Sequence, residues 1–283
     1  LARHPQFEQV SAEVGVLNED AFAECLENDP DQALSLLADL NGATDEKLRR
    51  LAQKLAGRVV VDLARHGATP KAGIGRLVSA RASHHVGDLD LDASLEPILQ
   101  ARATRTPVPA EELRVHSWKR SDTALCLLVD RSGSMSGERL AAAAVAAAAV
   151  VYRCGADCSV IAFAEDAIVI KAQHEQRGPE QVVGDLLRLR GFGVTNLALA
   201  MRAASLQLAK SSAARQITVA LSDCRVTTGG DPVADAAALS ELVILAPAED
   251  SADARVLANY LGINFSALAG PSSVPEALAA VFS

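Results

Sequence analysis

Residues 123–153 read TALCLLVDRSGSMSGERLAAAAVAAAAVVYR, and the fold of the chain turns on how this stretch is interpreted. An apolar run from Ala124 to Val129 stops at Asp130, Ser132 and Ser134 follow, and a long helical pattern opens near Glu138. A near-continuous apolar run of this length is what a strand buried on both faces of a parallel sheet requires. The helix after it is apolar on nearly every side. Its weakly polar stretch between Arg139 and Arg153 falls short of the ~20 residues needed to span a bilayer, which predicts a helix inside a soluble protein and no membrane partner.

Toward the C-terminus, strand and helix patterns keep alternating. CSVIAFA (158–164), AIVIKA (167–172), QITVALSD (216–223), ELVILAP (241–247) and INFSAL (263–268) read as strands. PEQVVGDLLRL, LALAMRAASLQLAK, ADARVLANYLG and SVPEALAAVF read as helices between and after them. Such alternation predicts an α/β domain over 122–283: a doubly wound, mostly parallel sheet with helices on both faces. In sheets of this kind ligands bind beyond the carboxyl ends of the strands, where loops converge.

Toward the N-terminus, residues 1–67 predict a helical region. Leu48, Leu51, Ala52, Leu55, Ala56, Val59, Val60 and Leu63 recur at the spacing of one helix face, with Thr44 as N-cap and Gly67 as stop. A shorter helix is framed by Asp29 as cap, Pro30 at the first helical position and Gly42 after its end, and Asn18 is expected to cap one before that. Residues 68–121 carry weaker signals and are expected to form an irregular connector with short elements. Within it, Asp88, Asp90 and Asp92 resemble the start of a calcium loop, but Ala93 stands where the loop needs glycine and Leu99 where it needs glutamate. Asp92 is read instead as the cap of a helix running through Leu99. His84 and His85 are adjacent, cannot share one helix face as ligands, and are read as a solvated loop.

A formal net charge of −8 argues against nucleic acid as a partner. Residues 1–46 carry 11 acidic side chains and 1 basic one, whereas residues 47–122 carry 8 and 14; the two segments are expected to face each other or solvent rather than form a dedicated patch. Five cysteines, an odd number in a chain too large to need stapling, predict reduced, buried thiols and a cytoplasmic protein.

The serines after Asp130 acquire meaning from two distant residues. Thr195 lies in the loop before a predicted helix and Asp223 ends a predicted strand, both on the sheet edge where Asp130, Ser132 and Ser134 are expected. Two carboxylates and three hydroxyls form an all-oxygen set suited to a hard dication, Mg²⁺ or Mn²⁺. This set, in this order, resembles the metal-ion-dependent adhesion site of von Willebrand factor A domains, over about residues 122–283. The resemblance implies that Ser132, Ser134 and Thr195 contact the metal and that Asp130 and Asp223 act largely through water. Many members of the family have glycine before the threonine and after the last aspartate; here those positions are Val194 and Cys224. With its helical N-terminal portion, the chain further resembles bacterial proteins of this family that work beside AAA+ ATPases of the MoxR type, and more distantly the magnesium-chelatase D-type subunits.

The function this implies is a metal-dependent protein-binding module that acts as partner or adaptor of a MoxR-type ATPase and takes an acidic residue of that partner as a metal ligand. An alternative is a Mg²⁺-dependent phosphatase or phosphotransferase with Asp130 as nucleophile. Haloacid-dehalogenase-like enzymes, which such an enzyme would resemble, need a second aspartate where this chain has Ser132. GSMSG is not a nucleophile elbow, because Met135 stands at the nucleophile position, and no phosphate-binding lysine loop is present. No enzymatic activity is therefore expected. Extracellular adhesion, the role of the same site in other members, is disfavoured by the unpaired cysteines.

Overall fold

The computed structural model describes residues 7–11, 17–40, 46–67, 76–82, 88–104, 106–119, 123–132, 137–189 and 193–282. The chain divides into two compact units, residues 1–69 with 123–283, and residues 70–122.

The chain opens with four helices, α1 (Phe7–Val10), α2 (Glu19–Asn28), α3 (Pro30–Leu40) and α4 (Glu46–Gly67). The expected caps of α2 and α3 are present: Asn18 accepts from the backbone N–H of Asp20 and Ala21, and Asp29 accepts from that of Gln32. Thr44 and Gly42 lie outside the described residues, and α4 continues through Gly67. Of the residues the periodicity singled out, Leu48, Ala52, Leu55, Ala56 and Val60 are buried and Leu51, Val59 and Leu63 half-buried, while Val61 and Ala64 are buried as well.

The smaller unit holds β1 (Arg76–Arg81), β2 (Asp88–Leu89), α5 (Leu91–Thr104) and β3 (Arg114–Lys119). It has more regular structure than the expected connector: β3 pairs antiparallel with both other strands in a sheet of order β1-β3-β2. Ser94 fastens α5 to this sheet, its hydroxyl donating to the carbonyl of Arg114 and accepting from the Arg114 N–H. The cap of α5 is Asp90, which accepts from the backbone N–H of Ala93, so Asp92 lies inside the helix rather than before it. The shift arises because β2 ends at Leu89 and the chain turns directly into the helix. His84 and His85 lie outside the described residues.

The rest of the chain is β4 (Thr123–Asp130), α6 (Glu138–Cys154), β5 (Cys158–Phe163), β6 (Ala167–Lys171), α7 (Pro179–Arg188), α8 (Leu197–Leu208), β7 (Arg215–Leu221), α9 (Val233–Ala237), β8 (Leu242–Pro247), α10 (Ala252–Leu261), β9 (Asn264–Leu268) and α11 (Val274–Val281). The sheet order is β6-β5-β4-β7-β8-β9, parallel throughout except for β6, which pairs antiparallel with β5 at one edge. This is the α/β, mostly parallel architecture that the alternation predicts. The first strand of the domain, β4, is central; the chain passes to β5 on one side and later to β7 on the other. Loops leaving β4 and β7 therefore diverge, and a crevice opens where they part.

The two faces of β4 feed two cores. Leu125, Leu127 and Val129 belong to one, with α6, α7, α11 and the N-terminal helices α3 and α4; Ala124, Cys126 and Leu128 belong to the other, with α8 and α10. Among the described residues no helix is long and apolar enough to cross a membrane.

Candidate functional site

Asp130 is the last residue of β4, and Asp223 lies two residues beyond the end of β7. Val129 pairs with Leu221, so the two carboxylates emerge side by side at the crevice. Both are buried, Asp130 at 5% exposure and Asp223 at 7%. The Asp130 carboxylate is gripped on both oxygens: Oδ1 accepts from the backbone N–H of Ser132 (2.9 Å) and Oδ2 from the hydroxyl of Ser222 (2.6 Å). Burial pushes the Asp130 carboxyl above its ordinary value and the charge of Asp223 adds to the rise, against the hydrogen bonds from Ser222 and Ser132. A buried carboxylate with a second negative charge beside it favours a cation nearby.

Thr195 is 2% exposed and joins the cluster through the backbone. Its N–H donates to the Thr227 hydroxyl (2.7 Å), and its carbonyl accepts from the N–H groups of Thr227 and Thr228. Loop 193–196 is thereby laced to the loop that follows Asp223. The N–H groups of Arg131 and Asn196 donate to the carbonyls of Phe163 and Ala164, which ties the β4 loop and the loop before α8 to the end of β5. Four of the five expected residues thus occupy one hydrogen-bonded group of loops at one sheet edge. Ser134 lies outside the described residues.

Cys224 adopts φ +58°, a left-handed conformation that L side chains rarely take. This is the position at which the resembling family often has glycine, and the backbone turns here as a glycine would. The thiol is retained inside the fold, where burial pushes its pKa up to about 12.

Three neighbours of the site escaped the sequence reading. Ser222, the partner of Asp130, had a signal: a third small hydroxyl at a strand end, directly before Asp223. Arg139 sits in the first turn of α6 and donates to Asp223 (3.2 Å) and to Asp250 (2.9 Å). An arginine opposes the helix dipole at that end, and that unfavourable placement was the available clue. Asp250 follows β8 in a short helical turn and also accepts from Arg225; the hydrogen bond from Arg139 lowers its pKa below the ordinary carboxylate value.

Asp130, Ser132 and Asp223 line one end of a cavity of about 160 Å³. The start of α6, with Glu138, Arg139 and Ala142, and the turn after β9, with Gly270 and Pro271, also line it. Among the described residues no group of three or more His, Cys, Asp or Glu side chains is placed to hold a metal ion. A metal here would have to draw on hydroxyls as well as the two aspartates. The donors present, two buried carboxylates with Ser132 beside them, fit a hard dication that keeps water in its shell. Arg139 already neutralises part of the charge on Asp223, so the site presents less negative charge than the two carboxylates alone.

Residues 125–225 match the model of the von Willebrand factor type A domain family, a stretch of under half the chain. These residues are a von Willebrand factor type A domain. The match runs from β4 through the loop after β7 and so contains all five expected site residues. Similar solved structures include proximal thread matrix protein 1 from the mussel byssus (11% identity, 57% of this chain and 47% of that one, TM-score 0.46). Two others are a von Willebrand factor type A protein from Catenulispora acidiphila (17%, 58% and 42%, TM-score 0.45) and the conserved hypothetical protein BatB from Bacteroides thetaiotaomicron (15%, 56% and 96%, TM-score 0.46). The chain spans about half the length of the mussel protein. No curated protein matches it.

Proposed function

We propose that this von Willebrand factor type A domain is a metal-dependent protein-recognition module whose partner is an AAA+ ATPase of the MoxR type. The domain is a module that commonly mediates protein interactions. The observation that carries the metal-dependent reading is the pair of buried carboxylates, Asp130 and Asp223, side by side at one end of a cavity with Ser132. Mg²⁺ or Mn²⁺ would be held by Asp130, Ser132, Ser134, Thr195 and Asp223, and would supply a Lewis-acidic position open to a partner's aspartate or glutamate. The chain's own residues prepare that position. Ser222 and the Ser132 N–H fix the Asp130 carboxylate, leaving it little freedom to reorient. The Thr195–Thr227 bonds hold the loop before α8 against the loop after β7.

The role is recognition rather than catalysis. Asp130, the one candidate nucleophile, has both oxygens engaged by hydrogen bonds and has Ser132 where a phosphatase of the aspartate type needs an acid. Turnover of a phosphate ester with Mg²⁺ that disappears in Asp130→Asn would instead favour the enzyme. A reducing, cytoplasmic setting accords with five free cysteines, four of them buried.

The test is a binding isotherm between the chain and a purified MoxR-type ATPase, in Mg²⁺ and in EDTA, with circular dichroism to follow the fold. Removing one member of a desolvated charge pair costs about 2–5 kcal/mol, so chelation is expected to weaken binding by roughly 30-fold or more. Equal affinity in both buffers with an intact fold would overturn the metal-dependent reading.

A further inference from the structure

Helix α3 carries Asp31, Ser35 and Asp39 at i, i+4 and i+8, a straight line along one side of the helix. The two ends of that line reach the two segments that line the cavity alongside Asp130 and Asp223. At one end, Asp39 Oδ1 accepts from the backbone N–H of Gly137 (2.8 Å), the residue that leads into α6 and its cavity-lining Glu138, Arg139 and Ala142. The approach is close enough that a Cβ on Gly137 would lie 2.7 Å from Ser35 Oγ, and Gly137 has φ +53°, so glycine is required there on both counts. At the other end, Asp31 accepts from the backbone N–H of Ser272 (2.7 Å) and from its hydroxyl (3.1 Å). Here a Cβ on Gly270 would lie 2.4 Å from Asp31 Oδ2. Gly270 and Pro271 line the cavity together with the start of α6.

We propose that Asp31 and Asp39 are positioning residues: through them the N-terminal helix α3 holds the start of α6 and the turn after β9, two walls of the cavity beside Asp130 and Asp223, in place relative to each other. The idea that this geometry governs metal affinity rests on the reading of Asp130, Ser132 and Asp223 as a metal site. A helix serving only to cover α6 would need its buried leucines, not two carboxylates aimed at backbone N–H groups of two separate loops. Residues behind the metal ligands that orient them commonly change metal affinity by about 10- to 100-fold when removed. Because α3 belongs to the N-terminal helical region, anything that displaces those helices would loosen both walls together.

The experiment uses the full chain and four variants: Asp39→Ala, Asp39→Asn, Asp31→Ala, and Leu36→Ala as a control that weakens the same helix without touching either wall. Two readouts are taken: amide hydrogen exchange at Gly137 and Ser272 in metal-free protein, and Mn²⁺ titration. Asp39→Ala is expected to speed exchange at Gly137 and weaken Mn²⁺ binding about tenfold or more, and Asp39→Asn, which keeps an acceptor oxygen, to restore most of both. Asp31→Ala is expected to speed exchange at Ser272. Leu36→Ala is expected to leave Mn²⁺ affinity within about twofold of the parent, because it leaves the orienting contacts in place. Exchange at Gly137 and Ser272 unchanged by loss of the aspartates, or an equal loss of affinity in Leu36→Ala and Asp39→Ala, would overturn the proposal. Absence of Mn²⁺ binding by the parent chain would count against the site reading instead, and the exchange measurements alone would then decide whether α3 ties the walls.

Discussion

The two faces of the six-stranded sheet are covered to different depths, and the helices that cover them differ accordingly. On one face α6 packs against β4 and β5, and α3 and α4 pack in turn against α6. Every residue of α6 from Ala141 to Val151 is buried. On the other face α8 and α10 form a single layer, which leaves Leu206, Val256 and Tyr260 exposed. An alanine-rich helix without a polar side is stable only when apolar surface meets it all round, and its small side chains let neighbouring layers approach closely. The N-terminal helices are therefore part of the domain's core on that face, and this is also what brings α3 to the cleft.

The largest effect expected from this comparison comes from a charge placed in α6. Ala147→Asp buries an unpaired carboxylate at a fully enclosed position and is expected to cost more than about 4 kcal/mol in urea unfolding, whereas Leu206→Asp on α8, 70% exposed, should stay within about 0.5 kcal/mol. Similar costs at the two positions would break the comparison. Next is Leu36→Ala in α3, fully buried in the parent, with an expected loss of about 2–5 kcal/mol. That loss should appear in one cooperative transition, because α3 shares a core with the sheet; a separate, earlier transition for the N-terminal helices would show that they form an independent layer. Asp29→Ala removes the cap of α3 and is expected to cost about 1 kcal/mol. The smallest perturbation is chemical labelling at pH 8. Burial pushes the Cys126 and Cys224 thiols up to about 12, so iodoacetamide should modify them only as fast as the core opens. Labelling at the rate of a free thiol would mean that the single-layered face is loosely closed.

The order of strands and helices was legible because each buried strand is a compact apolar run and each helix has a recognisable start, as with Asn18 and Asp29. Asp130, Ser132, Thr195 and Asp223 were legible for a related reason: strand ends place residues far apart in sequence on one edge. What stayed hidden depended on tertiary packing. The sheet of the smaller unit rests on pairing between segments such as β1 and β3, separated by a helix and by turns, which no local pattern encodes. The cap of α5 moved to Asp90 because β2 ends immediately before it. Arg139 was read as a mere boundary of an apolar run, since its partner Asp250 is more than a hundred residues away. The line Asp31–Ser35–Asp39 carries no local sign of its partners, because Gly137 and Ser272 lie 98 and 241 residues from the aspartates they meet.

Whether Asp130 and Asp223 hold a dication decides the function of this edge of the sheet. Calorimetric titration of the chain with Mg²⁺ and with Mn²⁺ should show one site per chain, lost in both Asp130→Ala and Asp223→Ala while circular dichroism stays unchanged. Metal binding of equal strength in the parent and in both variants would place the ion elsewhere and contradict the assignment of this edge of the sheet.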